Sequence, residues 1–229
     1  MSVTSDNSDA FALQIDIVSD VMCPWCIVGF KQLEHSLEQT GTFAHIRWHP
    51  FELNPEMPPQ GQNLAAHIAQ KYGSTPAQSA ENRARITQLG QELGFDFNFT
   101  QDSRIVNTFA AHQLLDWAEA QDMQHPLKLA FFSAYFTHGR DVSDHSVLCA
   151  VAGEVGLDTA AAAEILKSGS RADHVRKAQS FWTSRGISSV PSVVFGQKYL
   201  LTGAQGVQTY AEIIKRVRSE TAAPQNADC

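Results

Sequence analysis

Residues 19–26 read Ser19-Asp20-Val21-Met22-Cys23-Pro24-Trp25-Cys26. An apolar extended run from Phe11 to Val18 precedes this stretch, and an amphipathic segment follows it to about Gln39. The two cysteines therefore stand where a strand passes into a helix. Pro24 suits the first helical turn, because its φ is already helical and its missing N–H has no partner there. Cys23 is then expected at the tip of the helix.

This location predicts different roles for the two sulfurs. Unpaired N–H groups and the helix dipole favour an anion, so the Cys23 thiol is expected to be accessible and to ionise below the roughly 8.5 of a free cysteine. Cys26 heads the apolar stripe of the helix, which continues through Phe30, Leu33 and Leu37. Cys26 should therefore face the sheet and be sheltered. We expect Cys23 to attack a disulfide and Cys26 to resolve the mixed disulfide by intramolecular attack.

A C-x-x-C pair can also be half of a zinc site, but the rest of the sequence does not supply the other half. A structural zinc needs four ligands, and Cys149 and Cys229 are isolated from this pair. His45 and His49 share one face of a strand but are separated by roughly 13 Å. Strand, C-P-x-C and helix in this order favour redox chemistry, and we expect no metal. A buried, inert cysteine pair is the remaining alternative.

Composition restricts the class of protein and its partners. The chain has 229 residues, of which 43% are hydrophobic, and 17 basic residues against 24 acidic ones give a net charge of −7. Nucleic acid and anionic membranes are therefore unfavourable partners, and no apolar run has the length of a membrane span. The first ten residues lack the pattern of a signal peptide. With four cysteines, we expect a cytoplasmic protein whose pair is catalytic or redox-sensing.

The periodicity divides the chain into alternating and helical segments. Residues 11–58 predict a strand, a helix and a strand, and 186–220 predict two strands and a helix that together complete one α/β domain. Residues 59–185 are almost entirely helical in pattern and are expected to form an inserted domain. We expect a disordered arm at 1–10 and a loose tail at 221–229. Asp16, on the first strand, is a candidate proton acceptor, although a paired or hydrated carboxylate is the commoner case.

Several motifs in this order resemble a known family. They are S-D-x-x-C-P-W-C-x-x-G at Ser19–Gly29, N-T-x-x-A-H-x-L at Asn107–Leu114, V-P at Val190-Pro191 and G-A-Q at Gly203–Gln205. The chain resembles DsbA-like oxidoreductases, and most closely their cytoplasmic FrnE-like branch. The resemblance implies a thioredoxin fold, βαβ then ββα, with a large all-helical insertion. It also implies a relation in fold to kappa-class glutathione transferases and 2-hydroxychromene-2-carboxylate isomerase.

The resemblance implies roles for residues around the sulfurs. Pro24 belongs to the C-P-W-C motif itself, and Pro191 is expected to be a cis-proline that faces the cysteines. The backbone of Val190 would pair with a bound peptide as an extra strand, and a trans proline that begins a strand is the alternative. Trp25 is expected to shape access to the sulfurs, or else only to cover the helix end.

Two further residues come from the helix that covers the active site in the resembling branch. His112 is a candidate to give Cys23 a proton or a hydrogen bond, and a structural histidine is the alternative. Asn107 orients substrate or braces the lobe. One departure concerns Trp25, because strongly oxidising exported enzymes of this fold have a histidine between the cysteines. A neutral ring supplies no charge to a thiolate, so we expect a redox potential below the roughly −120 mV of those enzymes.

These observations predict a dithiol-disulfide oxidoreductase that acts on a disulfide-containing protein or on a small thiol or disulfide, as a monomer or homodimer. We expect no tightly bound cofactor, with glutathione as a candidate co-substrate. One alternative is a kappa-type glutathione-dependent isomerase or transferase, although that group lacks the first cysteine. Another is a non-catalytic module in which the pair is a redox switch or a chaperone surface. Cys149 is expected to be a core residue and Cys229 an exposed tail thiol.

Overall fold

The computed structural model describes residues 12–222. The predicted arm at 1–10, Phe11 and Cys229 lie outside the described residues. The strands are β1 (Leu13–Ser19), β2 (Ala44–Pro50), β3 (Gln62–Asn63), β4 (Arg104–Ile105), β5 (Ser192–Phe195) and β6 (Tyr199–Thr202). The helices are α1 (Pro24–Thr40), α2 (Leu64–Tyr72), α3 (Pro76–Glu92), α4 (Phe109–Glu119), α5 (Gln124–Phe132), α6 (His145–Glu154), α7 (Thr159–Ser168), α8 (Ala172–Thr183) and α9 (Val207–Ala222).

The first and last parts of the chain build one mixed sheet in the order β2-β1-β5-β6. β1 and β2 are parallel, with Ile15 opposite Ile46, as the predicted crossover requires. β5 runs antiparallel to β1, and β6 returns from β5 through a tight turn. The backbone at Gly196 and Gln197 has positive φ there, of 55° and 58°. This is the predicted thioredoxin fold, βαβ followed by ββα.

Helices α1 and α9 pack together on one face of this sheet. The apolar stripe of α9 faces the core, since Tyr210 and Ile214 have no exposed surface. Ser36, buried in α1, donates a hydrogen bond to the carbonyl oxygen of Val207 at 2.7 Å. Gly41 ends α1 in the left-handed conformation. The two helices thus hold the cysteine end of α1 in a fixed position relative to the sheet.

The segment between the two parts of the sheet is the predicted helical insertion, with one addition. β3 and β4 form a small antiparallel pair at its base. The helical periodicity of the sequence predicts a helix from about Ile105 to Gln121, but α4 begins only at Phe109, because Arg104 and Ile105 extend to pair with β3. Thr75 followed by Pro76 predicts an N-cap and a first helical residue, and α3 does begin there, with a capping box between Thr75 and Gln78. A π-helical turn, Ser133–Thr137, ends α5.

Buried side chains form two apolar clusters that meet at the cysteines. One cluster includes the sheet, α1, α9 and also Phe97 and Phe132 from the insertion. The other lies within the insertion, but it also contains Val21 and Met22 from the turn before the cysteines. Both of these side chains are buried, at 0% and 3% exposure. The turn that leads into Cys23 is therefore fixed between the sheet and the insertion.

Helix α5 covers the edge strand β2 through one polar side chain. The Gln124 amide nitrogen donates to the Trp48 carbonyl oxygen at 3.0 Å, and its amide oxygen accepts from the Trp48 N–H at 2.9 Å. Gln124 thus satisfies the backbone groups that an edge strand would otherwise leave open. Within residues 12–222, no helix has the length and apolarity that crossing a membrane requires.

Candidate active site

Cys23 is the N-cap residue of α1, and Pro24 is the first residue of the helix. The Cys23 backbone is extended, with φ −88° and ψ 111°, and the Cys23 carbonyl oxygen accepts a hydrogen bond from the Cys26 N–H at 3.0 Å. The predicted change from strand to helix at this point is confirmed. Both sulfurs are free thiols.

The exposure of the two sulfurs agrees with the prediction for only one of them. Cys26 is completely buried, as predicted, but Cys23 is also buried, with 4% of its surface exposed. The expectation of an accessible Cys23 is therefore wrong for this structure. The reason is tertiary: the Cys23 sulfur lies 3.7 Å from the carbonyl oxygen of Val190, and the residues before it are enclosed by the insertion.

Val190 and Pro191 approach the cysteines from the opposite part of the chain. The peptide bond between them is cis. Pro191 packs on Gly29 of α1, where an added Cβ would lie 3.2 Å from the proline Cγ. The same Cβ would lie 3.4 Å from the hydroxyl of Tyr210. Gly29, the last residue of the C-P-W-C-x-x-G motif, thus allows the proline loop to lie close to the helix.

The two thiols have pKa values that shift in opposite directions. A hydrogen bond to Cys26, burial, and the negative charges of Cys26 and Asp20 raise the pKa of the Cys23 thiol well above its ordinary value. Burial alone would also raise the pKa of Cys26, but the Cys23 thiol, the Ser19 hydroxyl and the charge of Lys128 outweigh it and lower that pKa. The direction at Cys23 is opposite to the expected one, because the hydrogen bond to Cys26, burial and the charge of Asp20 act against the effect of the helix end.

Asp20 is a buried carboxylate directly below the cysteine turn, with 0% exposure. It accepts hydrogen bonds from the Leu53 N–H at 2.7 Å and the Met22 N–H at 3.4 Å. Burial alone would raise the pKa of Asp20, but the contact with His112, the hydrogen bond from the Leu53 N–H and the charge of Lys128 lower it. The sequence motif contained Asp20, but nothing in the pattern predicted its burial or its effect on Cys23.

His112 is buried beside Asp20, at 2% exposure. Its Nε2 lies 3.0 Å from the Phe51 carbonyl oxygen and 3.7 Å from the Asp20 carboxylate. It therefore reaches the cysteines through Asp20. Asn107 accepts a hydrogen bond from the Phe109 N–H at 2.9 Å and donates to the Pro55 carbonyl oxygen at 3.4 Å. These contacts brace the start of α4 against the segment after β2.

Lys128 of α5 is a second residue that the sequence did not indicate. Its side chain is buried, at 1% exposure, and its Nζ lies 5.4 Å from the ring centre of Trp48 and 5.0 Å from that of Phe132. Burial lowers the pKa of Lys128 to about 8, against the opposing influence of Cys26, Asp20 and Cys23. The positive charge that the C-P-W-C dipeptide lacks is thus supplied from the insertion.

Trp25 is half-buried beside the sulfurs and carries the exposed Arg85 of α3 over its ring, at 5.7 Å from the ring centre. Tyr72, at the end of α2, is 60% exposed, and burial together with the charge of Cys23 raises its pKa. The insertion therefore contributes an aromatic and a cationic side chain to the surroundings of the cysteine pair.

Two other residues named from the sequence, Asp16 and Cys149, lie elsewhere. Asp16 pairs with His49 at 2.7 Å on the sheet face that looks toward the insertion. Cys149 is only partly buried and packs against the core of the insertion.

The fold and the sulfur site agree with one known family. The DSBA-like thioredoxin domain matches residues 14–215 of the chain. The chain belongs to this family. It is 26% identical to the uncharacterized protein YwbO of Bacillus subtilis over 203 residues, which are 88% of this chain and 96% of YwbO. The family is one of thiol oxidoreductases and related enzymes, as the resemblance in the sequence implied.

Solved structures of DsbA-like proteins share the whole architecture. A probable DsbA oxidoreductase from Streptomyces coelicolor superposes with a TM-score of 0.85 at 25% identity, over 94% of each chain. Two more distant structures share the fold at 16% identity. They are a 2-hydroxychromene-2-carboxylate isomerase, with a TM-score of 0.67 over 91% of this chain and 98% of that one, and the cytosolic disulfide reductase DsbM of Pseudomonas aeruginosa with GSH, with 0.61 over 90% and 98%.

Proposed function

We propose that this DsbA-like protein is a thiol-disulfide oxidoreductase in which Cys23 attacks a substrate disulfide and Cys26 resolves the mixed disulfide. One observation carries the proposal. The Cys23 sulfur, at the N-terminal end of α1, lies 3.7 Å from the Val190 carbonyl oxygen beside Pro191, while Cys26 lies one turn deeper and fully buried. One sulfur thus faces a backbone segment where a substrate can bind, and the other is sheltered.

The reaction begins with a proton transfer between the two sulfurs. The lower pKa of Cys26 favours the thiolate on that sulfur, so attack by Cys23 requires its proton to pass first to the Cys26 thiolate, a transfer that costs free energy. The Cys23 thiolate then attacks the substrate R–S–S–R′, forms Cys23–S–S–R and releases R′–S⁻, which takes up a proton. Cys26 loses its proton again and attacks the Cys23 sulfur, which releases R–S⁻ and leaves the Cys23–Cys26 disulfide. The substrate gains two electrons, and the protein loses two.

The surroundings suggest how each residue assists. The Lys128 charge stabilises the Cys26 thiolate. Because Cys23 is only 4% exposed, a substrate has to displace neighbouring side chains, and we assign that gate to the half-buried Trp25. The Val190 backbone then pairs with the substrate as an extra strand. His112 and Asn107 act as positioning residues, through Asp20 and through the start of α4.

The substrate in this proposal is a disulfide in a protein or in a small molecule, with glutathione as a co-substrate. The exposed Arg85 next to Trp25 supports an anionic substrate, because its guanidinium has no carboxylate partner among residues 12–222. The similar DsbM was solved with GSH. We also propose a cytoplasmic location, which is that of DsbM, and a redox potential below roughly −120 mV.

Insulin reduction in the presence of dithiothreitol tests the proposal. We expect Cys23→Ser to reduce the rate to background and Cys149→Ser, the matched control, to leave it unchanged. A Cys23→Ser variant as active as the wild type would contradict the mechanism, and glutathione-dependent turnover without Cys23 would favour the kappa-type isomerase. Oxidation of the thiols without repeated turnover would favour a redox switch. A Cys26→Ala variant should retain substrates as mixed disulfides on Cys23, which mass spectrometry identifies.

A further inference from the structure

A cavity of about 720 Å³ opens between the sheet and the insertion. This volume is in the range of small-molecule binding sites. Its walls come from β1 and β2 on one side and from α4, α5 and α8 on the other, and they include neither cysteine nor Pro191. The cavity therefore lies beside the sulfur site and shares His112 and Lys128 with it.

Each acidic residue of the cavity wall already pairs with a histidine or an arginine. Asp16 pairs with His49 at 2.7 Å, Glu119 pairs with Arg47 at 2.6 Å, and Asp116 pairs with His174. Three cations of the same wall have no carboxylate partner within the described part of the chain: Lys128, Lys177 and Arg185. The cavity thus has an excess of positive charge in a chain whose net charge is −7.

Lys128 is the deepest of these cations. It is 1% exposed, and within residues 12–222 its ammonium makes neither a hydrogen bond nor an ion pair; it lies over the rings of Trp48 and Phe132. Asp20 and the two cysteines act on it only from a distance, and a buried ammonium without a direct ion-pair partner is unfavourable. Because Lys128 also lines the cavity, an anion inside the cavity would compensate this charge.

The outer wall of the cavity offers flat apolar surface. Trp182 packs on His49 with ring centres 4.7 Å apart. Phe181 is 47% exposed and carries the Arg185 guanidinium over its ring at 3.5 Å from the centre. Aromatic side chains around a few polar groups are typical of sites for planar organic ligands.

We propose that this cavity binds a small aromatic carboxylate, whose carboxylate pairs with Lys128 and whose ring packs against Trp182 and Phe181. The unpartnered ammonium supplies the affinity for the anion, and Lys177 and Arg185 attract it at the rim. A neutral molecule of the same shape gains only the ring contacts and binds more weakly.

The same lysine links the cavity to the sulfurs, a step that rests on the proposed function. Lys128 lies over Trp48 and Phe132, which belong to the same buried cluster as Cys26. Its charge favours the Cys26 thiolate, so a carboxylate that pairs with Lys128 removes part of that stabilisation. By reciprocity, the disulfide form, which contains no thiolate, binds the carboxylate more tightly than the dithiol form. Oxidised glutathione converts the dithiol into the disulfide and becomes two molecules of glutathione.

Calorimetric titration of the full chain at pH 7 with 1-naphthoate tests the site. We expect saturable binding at one site, at least tenfold weaker binding of the neutral 1-naphthamide, and at least tenfold weaker binding of 1-naphthoate by Lys128→Met. Lys198→Met is the matched control, because Lys198 pairs with Glu220 away from the cavity, and its affinity should equal that of the wild type. Absence of saturable binding, or an unchanged affinity in Lys128→Met, would overturn the proposal.

Two further arms keep the test decisive. Should Lys128→Met fail to fold by circular dichroism, Lys177→Gln and Trp182→Ala replace it, each with an expected loss of about threefold in affinity; wild-type affinity in both overturns the site. For the link, the affinity of protein oxidised with glutathione disulfide should exceed that of the reduced protein about threefold. Equal affinities overturn the link alone, whereas a mass that shows no disulfide after oxidation overturns the proposed redox cycle.

Discussion

Pro191 lies directly on Gly29, and a methyl group at Gly29 would come within 3.2 Å of the proline Cγ. The helix that carries the cysteines therefore contacts the proline loop at Gly29, a residue that has no side chain. Any atom added at that point displaces either Pro191 or the Tyr210 hydroxyl, at 3.4 Å on the same side.

We expect Gly29→Ala to lower activity more than stability. Alanine favours a helix interior by about 1 kcal/mol over glycine, which offsets the crowding, whereas a shift of Pro191 and Val190 changes the surface that a substrate meets. The rate of insulin reduction should fall about tenfold while the midpoint of thermal unfolding changes by only a few degrees. An unchanged rate would show that the contact does not position the loop.

Asp20→Asn should lower the pKa of Cys23, because the Asp20 charge contributes to raising it. The measurement is the rate of iodoacetamide alkylation against pH, with Cys26→Ala present in both proteins so that only Cys23 of the pair reacts. Mass spectrometry distinguishes Cys23 from Cys149. A profile that does not move toward lower pH would contradict the role of Asp20.

The same substitution should lower the free energy of unfolding at pH 7 by about 1–3 kcal/mol, since a hydrogen-bonded buried charge is lost. The pKa of Asp20 in the folded protein is lowered from 3.8, so its stabilising contribution is complete above pH 3.8 and disappears as the pH falls through the lower folded value. Urea unfolding at pH 7 and at successively lower pH gives the difference. A difference that grows on acidification would contradict this assignment.

Lys128→Met should stabilise the protein at neutral pH. The fall in the pKa of Lys128 from 10.5 to about 8 corresponds to about 3 kcal/mol of destabilisation. The unfolded chain binds more protons than the folded protein between pH 8 and 10.5, so the wild type recovers this stability as the pH rises through that window. The variant should therefore be more stable below pH 8, and the difference should vanish above 10.5. Urea unfolding of both proteins measures it.

Gln124→Ala should destabilise the edge of the sheet by about 2 kcal/mol, because both backbone groups of Trp48 lose their partner. Urea unfolding followed by tryptophan fluorescence measures the loss. Gln121→Ala is the control, because the exposed Gln121 side-chain amide makes only a 3.4 Å hydrogen bond to the Trp117 carbonyl oxygen within residues 12–222. It should change the free energy of unfolding by less than about 0.5 kcal/mol. Equal effects would show that the double hydrogen bond adds nothing.

Arg85→Ala should raise the KM for oxidised glutathione about fivefold and affect the KM for insulin less, because a small anionic disulfide depends more on one nearby cation. The stability change should stay below about 1 kcal/mol, as for an exposed cation on a ring. Arg83→Ala is the matched control, since Arg83 lies on the same helix and bonds to Ser79. A similar change in KM for both variants would show that the effect comes from the total charge of the helix and not from the position of Arg85.

Much of the fold could be predicted from local patterns. Three of these patterns depend on neighbouring residues alone: the change from alternating to helical periodicity at Pro24, the helix start at Thr75-Pro76 and the run at Val190-Pro191. The strands and helices near them agree with the structure. The boundary at Ile105 was wrong because its extended backbone depends on pairing with Gln62, far away in the sequence.

Only two parts of the site, the sulfurs and the proline loop, could be predicted from the sequence. Lys128 stands between two leucines on a helix, where a lysine usually faces solvent; its burial depends on Trp48 and Phe132. Gln124 likewise gains its role from the edge position of β2. The burial of Cys23 depends on the insertion and on Val190. These contacts join residues that are far apart in the chain, so no motif or residue spacing in the sequence indicates them.

Cys23 and Val190 are 167 positions apart in the chain. During synthesis, both thiols leave the ribosome well before the segment that covers them has been made. A nascent chain thus carries its most reactive groups uncovered while the sheet still lacks β5, its central antiparallel strand. The time between translation of residue 26 and of residue 191 is therefore a period in which the thiols are open to oxidation or alkylation, and it ends only when the final hairpin joins β1.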